Sequence, residues 1–415
     1  MSVVGLITEY NPFHKGHEYH IKMAKELTGA DHAIVVMSGN YVQRGTPAFM
    51  DKYTRASIAL NHGADLILEL PLPFSFSSAE YFALAAVSIL DKTAIVDSIC
   101  FGAETDDLEL LNEIAMYLVA AKTDENHPLN SLIKEKVKSG LSYASSRAMA
   151  LCELCNNERI NEVIEQPNNI LAIEYLKAIK LLNSKIKPYP LKRTVASYHD
   201  ADGNNHMFSA SSLRKAFNSD ISIEEIFDFD DAYKAKYNVT YPILESDFDA
   251  IMASKLLENI YKNIDLTTYN NIDESLANKI IKTIKDNGYT GWNDFSMKLK
   301  SKNIAYTSIC RGLLSILLDI KENEFVKYLD DGICNYARIL GFNRLASSLL
   351  NSIKNSSSLT LIGQLSEIND GLELSTYDKN MINKTIFADE LYNNIIRLKY
   401  SSDIPNEYRR KLIIK

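Results

Sequence analysis

Several protein classes are excluded by what this 415-residue chain lacks. Its five cysteines, Cys100, Cys152, Cys155, Cys310 and Cys334, are too few and too scattered for a disulfide framework. No window approaches the run of about 18 apolar residues that would read as a membrane span. The opening stretch MSVVGLITEY has no basic segment followed by a long apolar run, so no secretory signal is expected. A reducing, cytoplasmic setting is the expectation. Positive charge is also short. The net charge of -8 argues against bulk attraction to nucleic acid. With 46% hydrophobic and 24% charged residues, nothing marks a disordered or fibrous chain. No repeat of solenoid period is visible.

What is present is a length beyond one core, which stops growing near about 250–300 residues, so two or three domains are expected. The first part alternates strand and helix signals. Val3–Thr8 is a short apolar run with β-branched residues, read as a buried strand. Helical spacing over residues 17–27 stops near Gly29, and a second strand is expected at 33–37. A helix at 52–62, a strand at 65–69, a helix at 78–90 and a strand at 95–101 follow. Residues 107–186 read as largely helical, and 188–196 as a return to the sheet. Strands separated by helices imply parallel βαβ crossovers. From about residue 221 the chain is rich in Asn, Lys, Leu and Ile, with long helical periods and few strand signals. The expected architecture is therefore α/β: a Rossmann-like parallel-sheet domain over residues 1–218, then a mostly α-helical domain over 219–415.

The segment Glu9-Tyr-Asn-Pro-Phe-His14-Lys-Gly16-His17 leaves the first strand and enters the first helix. Ligands of open parallel sheets bind at the carboxyl ends of strands. A helix N-terminus there offers unpaired N–H groups and a positive dipole end to phosphate. Two histidines three apart can reach one phosphate, and Gly16 between them lets a nucleotide approach the backbone. A second candidate is Phe208-Ser-Ala-Ser211-Ser212-Leu-Arg214, where serine hydroxyls and an arginine fork precede a helix. A third is a cationic island: residues 276–311 hold seven Lys/Arg and two Asp/Glu, and include the single tryptophan, Trp292. That run reads either as a solvated helix face or as a local RNA contact. Trp292 reads as a base-stacking platform or, better, as a helix anchor. Cys152 and Cys155 share a helix face and read as structural, with no metal site expected.

The His14–His17 string resembles the HxGH signature of the nucleotidyltransferase superfamily, whose members split ATP between its α and β phosphates. The 208–214 segment is similar to the ISSTxIR form of that superfamily's late motif. Further segments narrow the resemblance: Ser38-Gly-Asn-Tyr-Val-Gln-Arg-Gly, then Cys100-Phe-Gly102-Ala-Glu104, Gln166-Pro-Asn168 and Lys192-Arg193. Together they resemble the bacterial tRNA(Met) cytidine acetate ligases, through most of the first 215 residues. The resemblance implies catalytic roles for His14, His17, Ser211 and Arg214. It implies ATP contacts along Ile7, Thr8, Glu9, Tyr10, Asn11, Pro12, Phe13, His14, Lys15, Gly16, His17, Glu18, Tyr19 and His20, and at Gly102, Asn168 and Arg193. Lys52 and Arg55 join Arg193 and Arg214 as candidates for a phosphate cage.

The implied chemistry uses ATP, with Mg²⁺ on the triphosphate, to activate acetate as acetyl-adenylate. The acetyl group then passes to N4 of the wobble cytidine of elongator tRNA(Met), forming N4-acetylcytidine. No membrane partner is implied. The cationic island, with Arg338 and Arg344, would hold the anticodon arm. Two other readings stand beside this one. One is adenylyl transfer to a small phosphorylated cofactor precursor. The other is a non-catalytic RNA-binding protein on a nucleotide fold.

Overall fold

The computed structural model describes residues 1–193, 214, 230–368 and 371–415. In chain order, β1 (Val3–Thr8) leads to α1 (Lys15–Thr28), β2 (His32–Ser38) and a small hairpin of β3 (Tyr41–Val42) and β4 (Thr46–Pro47). Then come α2 (Lys52–Asn61), β5 (Leu66–Leu70), α3 (Ala79–Lys92) and β6 (Ser98–Ala103). Helices α4 (Leu108–Thr123), α5 (Pro128–Lys138), α6 (Tyr143–Cys155), α7 (Arg159–Glu165) and α8 (Pro167–Leu181) precede β7 (Lys187–Lys192). The later part holds α9 (Asp231–Lys236), α10 (Asp249–Tyr261), α11 (Glu274–Asn287), α12 (Trp292–Leu299), α13 (Tyr306–Leu317) and α14 (Glu322–Asp330). It ends with β8 (Tyr336–Phe342), α15 (Ser347–Ser356), β9 (Thr360–Ile362), α16 (Thr376–Tyr400) and β10 (Ile413–Ile414).

Five strands run parallel in the order β5–β2–β1–β6–β7. Each of β1, β2 and β5 is an apolar run covered on both faces, as parallel strands between helix layers must be. The chain steps from β1 to β2 on one side and later returns to β6 on the other. That reversal opens a crevice at the carboxyl ends of β1 and β6. One face of the sheet carries a core that includes Val87, Leu90, Leu111 and Ile173 from α3, α4 and α8. The other is covered by Ile21, Ala24, Ile58 and Leu60 from α1 and α2.

The later segment is not purely helical. β8 pairs antiparallel with β5, placing Arg338 opposite Glu69, and β9 and β10 pair parallel with β8. Tyr336–Phe342 is a seven-residue run, apolar but for Arg338, a length at which hydrophobicity alone cannot separate strand from buried helix. Pairing decides it, because β5 would otherwise present an open edge. A separate helical core surrounds Trp292, Phe295, Leu313 and Leu317. Trp292 is 1% exposed, so it anchors that core rather than offering a face to a base. Helix α16 joins both cores: Met381, Ile382 and Ile386 enter the sheet core, and Tyr392 and Ile396 the helical one.

Candidate active site

The turn from β1 into α1 builds the first wall. Tyr10 takes φ of 48°, a left-handed conformation that redirects the backbone at the strand end. His14 is the N-cap of α1, and its Nδ1 accepts from the Gly16 N–H at 3.1 Å. His17 reaches back, its Nδ1 accepting from the His14 N–H at 3.2 Å. This is a capping box built from two imidazoles. The rings stack with centroids 3.7 Å apart, and His17 packs edge-on to Tyr10 at 4.9 Å. Because each Nδ1 is an acceptor, the neutral rings carry their proton on Nε2. Burial, then the positive Arg193, pushes His14 down to about 4. Burial lowers His17 well below the usual histidine value, with His14, His20 and Arg193 adding to it. His20 falls to about 4, from burial and then Arg193, against a hydrogen bond with the Cys100 backbone. The pair therefore enters the crevice at neutral pH as two uncharged N–H donors.

The second wall is the end of β6. Gly102 lies under Arg193, whose Cγ and Cδ would be 3.4 Å from any added Cβ. The Arg193 N–H donates to the Ala103 carbonyl at 2.8 Å, which fixes the arginine beside the strand end. Glu104 follows, and its carboxylate caps α8. Oε2 accepts from the Asn169 N–H at 2.8 Å, and Oε1 from the Asn168 Nδ2 at 2.5 Å. Asn169 returns the favour, its Oδ1 accepting from the N–H groups of Glu104 (2.9 Å) and Thr105 (3.1 Å).

The third wall meets the later part of the chain. An Arg214 Nη donates to the Asn11 carbonyl. Burial, then nearby Arg44, lowers the Arg214 pKa, though a guanidinium stays charged. The Glu9 carboxylate accepts from the Gln43 N–H at 2.8 Å, and Arg311 Nε of α13 donates to the Gln43 carbonyl at 3.0 Å. Gly45, at φ 81°, permits this approach, since a Cβ there would lie 2.6 Å from the Arg311 backbone nitrogen. The sequence had grouped Arg311 with a distant cationic island. Only the fold brings it beside the end of β1.

His14, His17, His20, Gly102 and Arg193 are thus brought to one crevice, with Arg214 against Asn11. Ser211 and Ser212 lie outside the described residues. Lys52 and Arg55 do not reach the crevice. Arg55 is fully buried and donates to the carbonyls of Met50 (2.9 Å), Glu9 (2.6 Å), Ser38 (3.0 Å) and Gly39. It shapes the loops behind the site. Lys52, also fully buried, pairs with Glu69 at 2.6 Å, with Asp389, and with Glu407 at 3.5 Å. Arg338 belongs to the same buried cluster, 2.8 Å from Glu407, so it cannot serve as a surface contact for RNA. Cys152 and Cys155 sit in α6 and pack against the sheet core.

The model of the HIGH Nucleotidyl Transferase family matches residues 1–406. A tRNA(Met) cytidine acetate ligase of Clostridium kluyveri is 36% identical over 411 residues, covering 94% of this chain and 98% of the relative. One from a Thermoanaerobacter species is 38% identical over 403 residues, covering 94% and 95%. The chain belongs to the tRNA(Met) cytidine acetate ligase family of HIGH nucleotidyl transferases. A crystal structure of Thermotoga maritima TmcAL bound with alpha-thio ATP superposes with a TM-score of 0.87 at 28% identity, covering 100% of this chain and 99% of that one. Membership in the acetate ligase family matches the HxGH turn at the β1–β6 crevice. It also accounts for the long later segment, which the match includes rather than appends.

Proposed function

We propose that the chain is an ATP-dependent ligase that activates acetate as acetyl-adenylate, releasing pyrophosphate. It then transfers the acetyl group to N4 of the wobble cytidine of elongator tRNA(Met). The observation that carries this reading is the stacked His14–His17 pair at the α1 N-terminus, with both Nε2–H donors available and Arg193 and Arg214 alongside. The shared name of the relatives and the nucleotide held by the Thermotoga neighbour support it.

The acetate oxygen attacks the α phosphorus of ATP, and the bond to the β-phosphate bridging oxygen breaks. Charge then develops on the α-phosphate oxygens and on the departing pyrophosphate. Neutral imidazole N–H groups in a water-poor crevice need no reorganisation to meet it, and loss of one such donor typically costs 10²–10³-fold in rate. Arg193 and Arg214 supply the positive charge that the neutral histidines do not, with Ser211 and Ser212 completing the phosphate contacts. Magnesium on the triphosphate, held by phosphate and water, would screen charge between the β and γ groups. In the second half, the cytidine N4 amine attacks the acetyl carbonyl and AMP leaves. No covalent enzyme intermediate is required. Lys282, Lys285 and Lys300, exposed on and after α11–α12, are the candidates for contact with the RNA backbone.

The test is one reaction with ATP, Mg²⁺, labelled acetate and unmodified elongator tRNA(Met), following pyrophosphate and label together. Label in one cytidine with AMP formed is the expected result. A dinucleotide product with a phosphorylated cofactor precursor would support adenylyl transfer instead. RNA binding without pyrophosphate release would support a non-catalytic role.

A further inference from the structure

Asn168 and Glu104 are held together more tightly than a ligand contact and a neighbouring loop require. Glu104 follows the last residue of β6, and Asn168 stands in the first turn of α8. The carboxylate of Glu104 takes three N–H donors: the Asn168 side chain at 2.5 Å, the Asn168 backbone at 3.4 Å and the Asn169 backbone at 2.8 Å. The Asn169 side chain, 2% exposed, grips the backbone of 104 and 105 in return. Loop and helix end are locked reciprocally, so the carboxylate is not free to swing.

This lock decides the polarity of Asn168. A carboxamide can face a ligand with its NH₂ or with its oxygen. A carboxylate accepts only, so the edge of Asn168 that touches Glu104 must be the NH₂. Its Oδ1 is left to face the other way, and there it can only accept. Glu104 lies two residues past Gly102, about 7 Å along the strand direction. Arg193, over Gly102, is the charged group that acts on His14, His17 and His20. A nucleotide whose phosphates lie at the histidines and Arg193 therefore has its nucleoside within reach of Asn168.

We propose that Glu104 is a positioning residue that fixes Asn168 as an obligate acceptor, so that the site selects a nucleoside presenting a hydrogen-bond donor there. The inference rests on the ATP reading given above. The shared chemistry is an O–H or N–H donor, and ATP has two sources of it: a ribose hydroxyl and the adenine N6 amine. A nucleotide lacking that donor leaves Oδ1 unpaired, which sites of this kind reject strongly.

The experiment measures binding by the full-length protein of ATP, 2′-deoxy-ATP, 3′-deoxy-ATP and the 6-unsubstituted purine ribonucleoside triphosphate. The wild type is expected to bind one of these analogues about tenfold more weakly than ATP. A penalty on a deoxy analogue assigns the ribose, and a penalty on the 6-unsubstituted purine assigns the base. In Glu104→Gln the amide at 104 can donate, Asn168 is free to turn over, and the discrimination is expected to fall to within about twofold. Asn168→Ala is the second variant. It keeps the backbone caps on Glu104 and is expected to lose the same discrimination. Unchanged discrimination in both variants overturns the inference while leaving ATP binding in place. So does a wild type indifferent to all three analogues. A wild type that binds no ATP at millimolar concentration overturns the functional reading as well. Because a purely structural lesion weakens all four nucleotides alike, the ratio between them is the decisive readout.

Discussion

His14 and His17 combine a capping role with the phosphate role proposed for them, and the two can be separated. As N-cap and third helical residue they close the α1 capping box through Nδ1, and as the proposed phosphate donors they would use Nε2. Serine is a better N-cap than histidine and glutamate completes a capping box, but neither supplies an N–H at the Nε2 position. His14→Ser and His17→Glu are therefore expected to keep the melting temperature while lowering acetate-dependent pyrophosphate release by about 10²-fold or more. Near-normal release in both variants would remove the phosphate role. Buried histidines also make the fold acid-sensitive. His14 and His20 titrate at about 4 in the folded chain, against about 6.5 when unfolded. Between these values the unfolded chain binds protons that the folded chain refuses. Stability complete above pH 6.5 is thus lost as pH falls toward 4. Urea midpoints at pH 7, 6 and 5 are expected to fall in that order, with a shallower fall in His20→Asn. An identical fall in that variant would place the acid sensitivity elsewhere. The motif was legible at this scale because HxGH is local: capping, spacing and position after a strand all lie within nine residues.

At the scale of elements, the start of α2 shows where local reading stops. Asp51 caps it, accepting from Tyr53 and Thr54 N–H groups at 3.1 and 3.0 Å, and this cap is readable from sequence. Lys52 and Arg55 follow like phosphate ligands after a Gly-rich turn. Arg55 instead holds nearby loop carbonyls, while the partners of Lys52 come from β5, α16 and the segment after it, and no local pattern announces a carboxylate 337 positions away. Burial, with Glu407 and Glu69, raises Asp389 to about 8 against the pull of Lys52 and Arg338, while Lys52 and Arg338 hold Glu407 at about 2 despite its burial. Two cations, Lys52 and Arg338, thus face the carboxyls of Glu69, Asp389 and Glu407 in one buried cluster. Lys52→Met is expected to destabilise by about 3–5 kcal/mol, since stranded buried carboxylates are costly. ATP affinity of the folded fraction should stay within about twofold. Weaker ATP binding without lost stability would return Lys52 to the phosphate site. On the surface of α11–α12 the expectation is opposite. Reversing Lys282, Lys285 and Lys300 to Glu should leave stability and ATP affinity alone. It should weaken tRNA binding severalfold and flatten its salt dependence. An unaltered salt slope would move the RNA surface to another face.

At the scale of the whole molecule, the division at residues 218–219 meets a sheet that crosses it. β8 completes the edge at β5, β10 and β9 build on β8, and α16 enters two cores. The α/β alternation of the first half was readable because each βαβ step is sequential. β8 was not, because a seven-residue, mostly apolar run takes its conformation from an edge made far earlier in the chain. A fragment of residues 1–218 is accordingly expected to melt without a sharp cooperative transition, by circular dichroism or calorimetry. A single steep transition would mean that the first half holds a sufficient core of its own.

The tie between Asn40 and Asp389 spans 349 positions. A ribosome adding about 5–20 residues per second leaves roughly 20–70 s between the synthesis of the two. Through that interval the nascent chain carries a lysine destined for burial with Glu69 beside it but without Asp389 or Glu407, and for most of it a β5 edge with no partner. The first half therefore emerges early but matures last. While it waits, that unfinished sheet edge is the surface a chaperone would find.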